Sequence, residues 1–373
     1  MFINFIDLHA QQARIKAQID TGIARVLDHG FYVMGPEVRE FEEKLATFGK
    51  AKHALGCANG TDAILLALMA WDIGPGDAVF CPSFTYCATA EVVALRRATP
   101  VFIDIDRETY NMSPAHLQAA IDRVKADGKL TPKAIISVDL FGQSADYPAI
   151  AKIAKAEGLK LIADSAQGFG TSLNGHHPLH WADVTTTSFF PAKPLGCYGD
   201  GGAVLTDDDA LALKMDSLRI HGKGVDKYDN VNVGINSRLD SLQAAILLPK
   251  LEIFADEIDA RNHIATRYID GLRDHVERVP AVMDGVISTW AQFTIEVKDP
   301  TSFGDQLREK GVPTARYYPR PIHMQTAYLD YAGIGGDLPN TEDCMTHIIS
   351  LPMHAYLDEA TQDMIINAAV AAA

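Results

Sequence analysis

Two side chains in this sequence could do covalent and acid–base chemistry together: a lysine and an aspartate. Lys193 lies in a charge-poor, aromatic and glycine-rich turn, Ser188-Phe-Phe-Pro-Ala-Lys193-Pro-Leu-Gly-Cys-Tyr-Gly-Asp-Gly-Gly202. Desolvation in such a turn lowers the pKa of a lysine and provides a nucleophilic amine. We therefore predict that Lys193 is a Schiff-base lysine.

The aspartate supports this interpretation, because a lone lysine is more often a solvated surface residue. Asp164 ends the apolar run Leu161-Ile-Ala-Asp164, which places a carboxylate at the carboxyl edge of a sheet, where open α/β folds bind ligands. An imine-forming lysine and an aspartate that holds a pyridinium nitrogen are the protein groups that pyridoxal phosphate (PLP) chemistry most requires. The pair predicts PLP as the cofactor, Lys193 and Asp164 as catalytic residues, and no metal.

A third segment predicts a phosphate site. The run Ala54-Leu-Gly-Cys-Ala-Asn59-Gly60-Thr61-Asp62 is typical of a short strand, a tight turn and a helix that begins near Thr61. Backbone amides and the positive end of the helix dipole, together with the Thr61 hydroxyl, can bind an anion. An ordinary helix cap at Asn59 or Thr61 gives the same local pattern. The presence of Asp164 and Lys193 favours the phosphate interpretation.

At these residues the chain resembles the DegT/DnrJ/EryC1/StrS family of PLP-dependent nucleotide-sugar aminotransferases. The resemblance covers nearly the whole chain and implies an α/β, fold-type I architecture. A large domain with a mostly parallel seven-stranded sheet between helices would precede a smaller C-terminal α+β domain. The matching runs are Ala58-Asn-Gly-Thr-Asp62, Pro82-Ser-Phe-Thr-Tyr86, Asp164-Ser-Ala-Gln167, Ser188-Phe-Phe-Pro-Ala-Lys193, Gly199-Asp-Gly-Gly202 and Gly234-Ile-Asn-Ser-Arg-Leu-Asp240.

The resemblance also implies roles for single residues. Lys193 matches the lysine that binds the cofactor covalently, Asp164 the partner of the pyridine nitrogen, and Gln167 the neighbour of the phenolic oxygen. Tyr86 falls where the family stacks an aromatic ring on the pyridine. Asn236 matches a residue that reaches the phosphate from a neighbouring subunit, so the resemblance implies a homodimer with shared active sites. The residues that match the family's other phosphate contacts are Gly60, Thr61 and Ser188.

The reaction implied by the resemblance moves an amino group from L-glutamate to a nucleotide-linked keto-sugar. Relatives that dehydrate sugars carry His at the position of Lys193, so the lysine indicates transamination. The run from Phe189 to Asp200 most resembles the branch that acts on UDP-linked 3-keto sugars, including uronic acid derivatives of surface polysaccharides. Amination at C4 of a dTDP-, UDP- or GDP-linked 4-keto-6-deoxysugar stays open. So does a non-catalytic, PLP-binding regulatory role.

Substrate contacts are expected from arginines and aromatic residues near the resembling segments. Arginine suits bidentate recognition of a diphosphate or a sugar carboxylate. Core packing would explain the tyrosines equally well. The candidates are Arg238, Arg316, Tyr317, Tyr318, Arg320 and His323.

Composition and patterning limit the remaining function classes. The net charge of −15 argues against nucleic acid or anionic membranes as partners. The five cysteines form no Cys-x-x-Cys pair, and no apolar leader or membrane span is visible, which predicts a cytoplasmic protein with reduced thiols. A nicotinamide oxidoreductase is disfavoured because Gly168-Phe-Gly170 lacks the third glycine of the dinucleotide fingerprint.

Hydrophobic periodicity predicts the elements that position these residues. Strands are expected at residues 78–81, 100–104, 134–139 and 160–163, and a helix capped by Ser113 follows the second. A helix beginning near Pro36 should expose its acidic residues. The pattern from Arg238 to about Leu272 is helical, and Pro249 should kink this long helix or lie at a junction. Residues 1–250 are assigned to the large domain and 251–373 to the small one, with a strand at 290–297 and a helix at 301–310.

Overall fold

A central sheet dominates the computed structural model of the protein, which describes residues 3–226 and 228–373. The strands in chain order are β1 (His53–Cys57), β2 (Asp77–Pro82), β3 (Thr99–Ile103), β4 (Thr131–Val138), β5 (Lys160–Asp164), β6 (Ser172–Leu173), β7 (Val184–Ser188), β8 (Gly202–Thr206), β9 (Val286–Ile287), β10 (Phe293–Glu296) and β11 (Ile348–Leu351). Seven of them form one sheet in the order β1-β8-β7-β5-β4-β2-β3. Within it β8 is antiparallel to both neighbours and the other pairings are parallel. The predicted α/β class and mostly parallel seven-stranded sheet are confirmed.

Helices cover both faces of the sheet and connect its parallel strands. They are α1 (Leu8–His29), α2 (Pro36–Gly49), α3 (Gly60–Ala70), α4 (Ala88–Leu95), α5 (Pro114–Asp127), α6 (Tyr147–Glu157), α7 (Asp209–Leu218), α8 (Ser241–Leu272), α9 (Pro300–Glu309), α10 (Pro339–His347) and α11 (Glu359–Val370). Short 3₁₀ turns occupy Leu140–Gly142, Pro178–His180, Ile322–Met324 and Thr326–Tyr331. This alternation of strand and helix is what brings the carboxyl ends of the parallel strands to one edge.

The four strands predicted in the large domain are confirmed as β2 to β5, with bounds that differ by up to three residues. Their central residues are buried on both faces, which explains why each reads as a continuous apolar run. The helix cap at Ser113 is also confirmed, because its hydroxyl accepts the His116 amide N–H at 3.3 Å. The first backbone N–H groups of a helix have no acceptor within the helix, and the Ser113 hydroxyl supplies one for α5.

The prediction of a solvated acidic face on α2 is wrong for Glu37. Its side chain is completely buried. The Arg25 guanidinium donates to it at 2.6 Å, and His29 Nε2 lies 3.1 Å away. Sequence periodicity could not reveal this because the two partners lie on α1 and reach Glu37 only through the packing of α1 against α2.

The long helix α8 passes between two hydrophobic cores. Its first half contributes Leu247 and Phe254 to the core beneath the sheet, and its second half contributes Tyr268 and Leu272 to a separate core near the C-terminus. The helix begins at Ser241 instead of Arg238, since the preceding residues form a loop in which Asn236 makes an isolated antiparallel bridge with Ile220. Helix α8 runs unbroken through Pro249. The assigned division at residue 250 therefore falls inside a helix, and the domain boundary stays a prediction.

The C-terminal region combines a small sheet with helices. Strands β10 and β11 pair antiparallel, and α9 forms where a helix is predicted. The expected strand at 290–297 is shorter, because Trp290 has φ = 47°, a left-handed conformation that a strand cannot contain. Among the helices of residues 3–226 and 228–373, none is both long and apolar enough to cross a bilayer. The five cysteines are all free thiols.

Candidate active site

The carboxyl ends of the central parallel strands open into a cavity of about 420 Å³. Asp164 ends β5, Ser188 ends β7, and α3 begins with Gly60 at the same edge. The loop that carries Lys193 closes one side. The cavity thus brings together predicted site residues from five segments that are far apart in the sequence. Its predicted lining residues are Gly60, Thr61, Tyr86, Asp164, Gln167, Ser188, Lys193, Tyr317 and Tyr318.

Asp164 is held at the cavity wall by donors from two directions. The Thr89 hydroxyl donates to Oδ2 at 3.1 Å, and the Ala166 amide donates to Oδ1 at 3.2 Å. Burial raises the pKa of Asp164, while these donors and the charge of Lys193 act to lower it. A desolvated carboxylate gains free energy from a cation placed against it. The position therefore suits a protonated ring nitrogen.

Lys193 is partly accessible through the cavity, and its backbone is fixed. Its amide donates to the Phe190 carbonyl at 2.8 Å. Desolvation by the surrounding protein lowers the pKa of the Lys193 amine, and the Asp164 carboxylate opposes that shift. A lowered pKa increases the fraction of neutral amine, which is the nucleophilic form.

The amino end of α3 forms an anion-binding cradle. Asn59 caps the helix by accepting the Asp62 amide at 2.8 Å, so the amides of Gly60 and Thr61 point beyond the first turn without a partner inside the helix. A Cβ on Gly60 would lie 2.7 Å from Ser188 Cβ. Glycine thus lets the helix end approach β7 closely, and the Ser188 hydroxyl joins the same concave surface.

Gln167 and Tyr318 form a buried polar pair beside Asp164. The Gln167 side-chain oxygen accepts the Phe141 amide at 2.7 Å, and its nitrogen donates to the Tyr318 hydroxyl at 3.0 Å. Burial raises the pKa of Tyr318, so the phenol stays protonated at neutral pH. By contrast, the Tyr86 ring is 56% exposed at the rim of the cavity. Its free face is available for stacking.

Two other groups of predicted residues lie away from this cavity. Arg316 donates to the Met345 carbonyl at 2.8 Å, Arg320 is exposed, and His323 is buried with Nδ1 2.7 Å from the Ser83 hydroxyl. Asn236 is exposed and Arg238 partly exposed, both in the loop before α8. A single chain therefore brings only Tyr317 and Tyr318 of the six substrate candidates to the site. The roles of the others stay predictions.

The structure also adds lining residues that sequence reasoning missed. Thr89 lies on α4, four residues after Thr85, and both face the cavity. Asp200 belongs to the glycine-rich run that follows Lys193, where a charged residue among glycines was the available signal. Thr89 had no such signal, because its hydroxyl reaches Asp164 only when α4 packs against the sheet. The further lining residues include Ile6, Phe190, Asp200 and Gln292.

The donor set fits PLP. A buried carboxylate, a helix amino end whose free amides suit a phosphate, and an amine of lowered pKa all line this one cavity. Gly60 leaves room beside Ser188 that a larger residue would fill. Within residues 3–226 and 228–373, we find no cluster of three or more His, Cys, Asp or Glu side chains placed to hold a metal ion.

Comparisons with known proteins agree with this geometry. The chain is 49% identical over 368 residues to UDP-2-acetamido-2-deoxy-3-oxo-D-glucuronate aminotransferase of Pseudomonas aeruginosa, covering 98% of this chain and 99% of that protein. A DegT DnrJ EryC1 StrS aminotransferase from Brucella abortus superposes with a TM-score of 0.97 at 50% identity and 98% coverage of both chains. A Bacillus subtilis structure with bound cofactor PMP gives a TM-score of 0.88 at 30% identity, covering 100% of this chain and 85% of that one.

A family model matches residues 13–370, nearly the whole chain. The match spans the cavity-lining segments from α3 to the Tyr317–Tyr318 loop. The predicted cofactor and transaminase chemistry are confirmed by the family and by the relative with bound PMP. The chain belongs to the DegT/DnrJ/EryC1/StrS aminotransferase family and is a PLP-dependent sugar aminotransferase.

Proposed function

We propose that this enzyme transfers an amino group from L-glutamate to a UDP-linked 3-keto sugar, a uronic acid derivative in particular, for surface polysaccharide or glycoconjugate biosynthesis. The observation that carries the proposal is the pairing of Lys193 and Asp164 in one cavity with the helix amino end of α3. The substrate class is supported by the relative at 49% identity, which is named for a UDP-3-oxo-glucuronate substrate.

Each residue of the site has a separate role in this reaction. When bound, PLP supplies an electron sink for the C–H bond that is broken at the donor's α-carbon. Asp164 pairs with the ring nitrogen and keeps it protonated. Lys193 would hold the cofactor covalently, and its free amine would carry the proton away from the donor's α-carbon. The amides of Gly60 and Thr61, with the Ser188 hydroxyl, hold the phosphate.

A homodimer with shared sites is supported by what one chain leaves exposed. Tyr86 and Phe190 line the cavity yet are 56% and 52% exposed. Phe31 is 65% exposed, and the run that follows it adjoins the loop before α8, because the Tyr32 carbonyl accepts the Ser241 amide at 2.9 Å. Exposed apolar surface beside a cavity is typical of a protein interface. In this proposal Asn236 and Arg238 enter the partner's cavity, Asn236 at the phosphate and Arg238 at the sugar carboxylate or diphosphate.

The remaining substrate contacts and the compartment belong to the same proposal. Tyr317 and Tyr318 would border the sugar, since both line the cavity. Five free thiols are consistent with a reducing cytoplasm. The enzyme would meet its nucleotide sugar there before export of the glycoconjugate.

The proposed function is tested in two half-reactions. The purified protein with PLP should show the absorption band of the lysine-bound cofactor, and L-glutamate should convert it to the pyridoxamine form. Lys193→Ala should bind PLP without that band and lose turnover, because the attacking amine is gone. A fully active Lys193→Ala protein would refute the assignment of the site, and a band that glutamate leaves unchanged would refute the donor.

The pyridoxamine form is then offered keto-sugars, with product analysis by mass spectrometry and NMR. The proposal expects the fastest turnover with a UDP-3-keto-uronic acid and slower turnover with the matching sugar that lacks the carboxylate. UDP-, dTDP- and GDP-linked 4-keto-6-deoxysugars provide the comparison. Preference for any of these would replace C3 amination by C4 amination as the function.

A further inference from the structure

A lysine on α8 is buried next to the loop that carries Lys193. Lys250 is 0% exposed, and its ammonium donates to the Gly196 carbonyl at 2.6 Å. The same nitrogen lies 4.3 Å from the centre of the Tyr198 ring. Burial of a cation is costly unless it is hydrogen-bonded or otherwise compensated. The contacts that offset this cost are made to residues three and five positions beyond Lys193.

The Gly196 carbonyl belongs to a tightly closed loop. The Cys197 amide donates back to the Phe189 carbonyl at 2.8 Å, and the Lys193 amide donates to the Phe190 carbonyl at the same distance. A Cβ on Gly196 would lie 2.6 Å from the Pro191 carbonyl oxygen. Residues before and after Lys193 are thus in direct contact. Any displacement of Gly196 must move the backbone that presents the Lys193 amine.

Helix α8 holds this loop at a second point. The Gln243 side-chain oxygen accepts the Tyr198 amide at 2.9 Å. Gln243 and Lys250 are seven residues apart, about two helical turns, and so lie on one face of α8. The helix therefore contacts Gly196 and Tyr198 with two side chains that have a fixed spacing.

We propose that Lys250 is a positioning residue for the reaction: its hydrogen bond to the Gly196 carbonyl fixes the loop that presents Lys193 to the cofactor. Lys250 does not touch the cavity, so it acts through the loop. Burial lowers the pKa of Lys250 to about 8, and Glu257 partly opposes that shift. Both the ammonium and the neutral amine can donate to a carbonyl. The loop therefore requires a hydrogen-bond donor at residue 250, and not a positive charge.

The test compares Lys250→Met with the wild type. Methionine fills similar space without a donor, so the amides of Lys193, Cys197 and Tyr198 should exchange with deuterium about tenfold faster or more in the protein without PLP. In the half-reaction with L-glutamate, kcat should fall by about tenfold or more, since a small misplacement of a reacting group costs that much. The KM for glutamate should stay within about twofold, because the substrate surfaces are unchanged.

Arg261→Met is the matched control. Arg261 is also buried on α8 and donates to the Trp290 carbonyl at 2.9 Å, away from the Lys193 loop. Its replacement should lower the unfolding temperature while leaving exchange in the loop and kcat close to wild type. Lys250→Gln keeps a hydrogen-bond donor on a shorter side chain, so its loss of kcat should be intermediate. If Lys250→Met does not fold, the comparison is made with Lys250→Gln.

Unchanged loop exchange and kcat in Lys250→Met, or the same changes in Arg261→Met, would overturn the proposal. The kinetic measurement rests on the proposed function, because it uses L-glutamate as the amino donor. The hydrogen-exchange measurement does not. If L-glutamate does not react with the wild-type enzyme, only its assignment as the amino donor is refuted. The hydrogen-exchange comparison still tests the role of Lys250.

Discussion

Burial acts in opposite directions on the two charged side chains of the site. It disfavours the charged form of each, so it raises the pKa of Asp164 and lowers the pKa of Lys193. Each group's charge works against the shift of the other. A bound cofactor with a cationic ring nitrogen would relieve the cost at Asp164, and covalent attachment of PLP would relieve it at Lys193.

A second carboxyl group lies behind the site, at Asp139. It is completely buried and accepts hydrogen bonds from the Ser165 and Tyr147 hydroxyls and the Ala145 amide. Desolvation, together with the nearby charge of Asp164, raises the pKa of Asp139 to about 7, and its hydrogen bonds oppose the rise. Tyr147 stays protonated because burial raises its pKa as well. Asp139 should therefore make the stability of the protein depend on pH.

Between pH about 4 and about 7 the folded state keeps a proton on Asp139 that the unfolded state has lost. The unfolded state binds fewer protons, so the free energy of unfolding falls as pH rises through this window. Asp139→Asn removes the effect. The stability of the wild type relative to this variant should be greater at pH 5 than at pH 8, by on the order of 2 kcal/mol. Urea unfolding at both pH values measures it.

Glu108→Gln supplies the control, since Glu108 is an exposed carboxylate outside this buried cluster. The pH dependence of its stability should follow that of the wild type. A difference between wild type and Asp139→Asn that is constant with pH, or larger at pH 8, would show that Asp139 is ionised throughout.

At the scale of elements, the junction of α3 with β7 decides whether a phosphate can be held. Gly60→Ala places a Cβ 2.7 Å from Ser188 Cβ, although alanine itself favours a helix. The helix end must then move away from the strand. We expect the Kd for PLP to rise by about tenfold or more while the fold is kept, and absorption titration of the protein freed of PLP measures it.

Gly74→Ala is the matched change for this experiment. The nearest atom to a Cβ at Gly74 is the Arg96 carbonyl oxygen at 3.8 Å, an ordinary contact. Its Kd for PLP should stay within about twofold of wild type. Equal affinities for PLP in the wild type, Gly60→Ala and Gly74→Ala would mean that the junction of α3 with β7 does not form the phosphate site.

The sequence predicted those features that a short run can encode. Asp164 and Lys193 were found because each interrupts a distinctive local pattern, and Gly60 because a turn and a helix start coincide there. Thr89 was missed and His323 was placed in a different environment, since their partners Asp164 and Ser83 are 75 and 240 residues away. The burial of Glu37 likewise depends on another helix. Long-range packing sets such contacts, and a run of residues does not encode them.

At the scale of the whole molecule, the cavity is open on one side in a single chain. Tyr86 and Phe190 at its rim expose apolar surface, while Asn236 and Arg238 project from a loop that does not reach their own chain's cavity. A second copy of the chain would explain both observations if it covered the cavity rim and inserted its Asn236–Arg238 loop into the cavity. An isologous dimer satisfies both sites with the same contact.

Mixing two inactive variants tests this arrangement. Lys193→Ala lacks the amine, and Asn236→Ala should lose much of its PLP affinity if Asn236 completes the partner's phosphate site. In a mixed dimer, one site combines Lys193 from one chain with Asn236 from the other and is fully native. Equimolar mixing with subunit exchange gives half mixed dimers, each with one native site, so about a quarter of wild-type activity should return.

The control mixes Lys193→Ala with Asp164→Asn. Both residues belong to the same chain's wall of the cavity, so a mixed dimer has no native site and activity should stay absent. Recovery in this control would mean that Lys193 and Asp164 of one site come from different chains, which contradicts the proposed arrangement. No recovery in the Asn236 mixture, when native mass spectrometry shows mixed dimers, would mean that each chain builds its site alone. The exposed rim would then need another partner, and Asn236 would have no part in binding the phosphate.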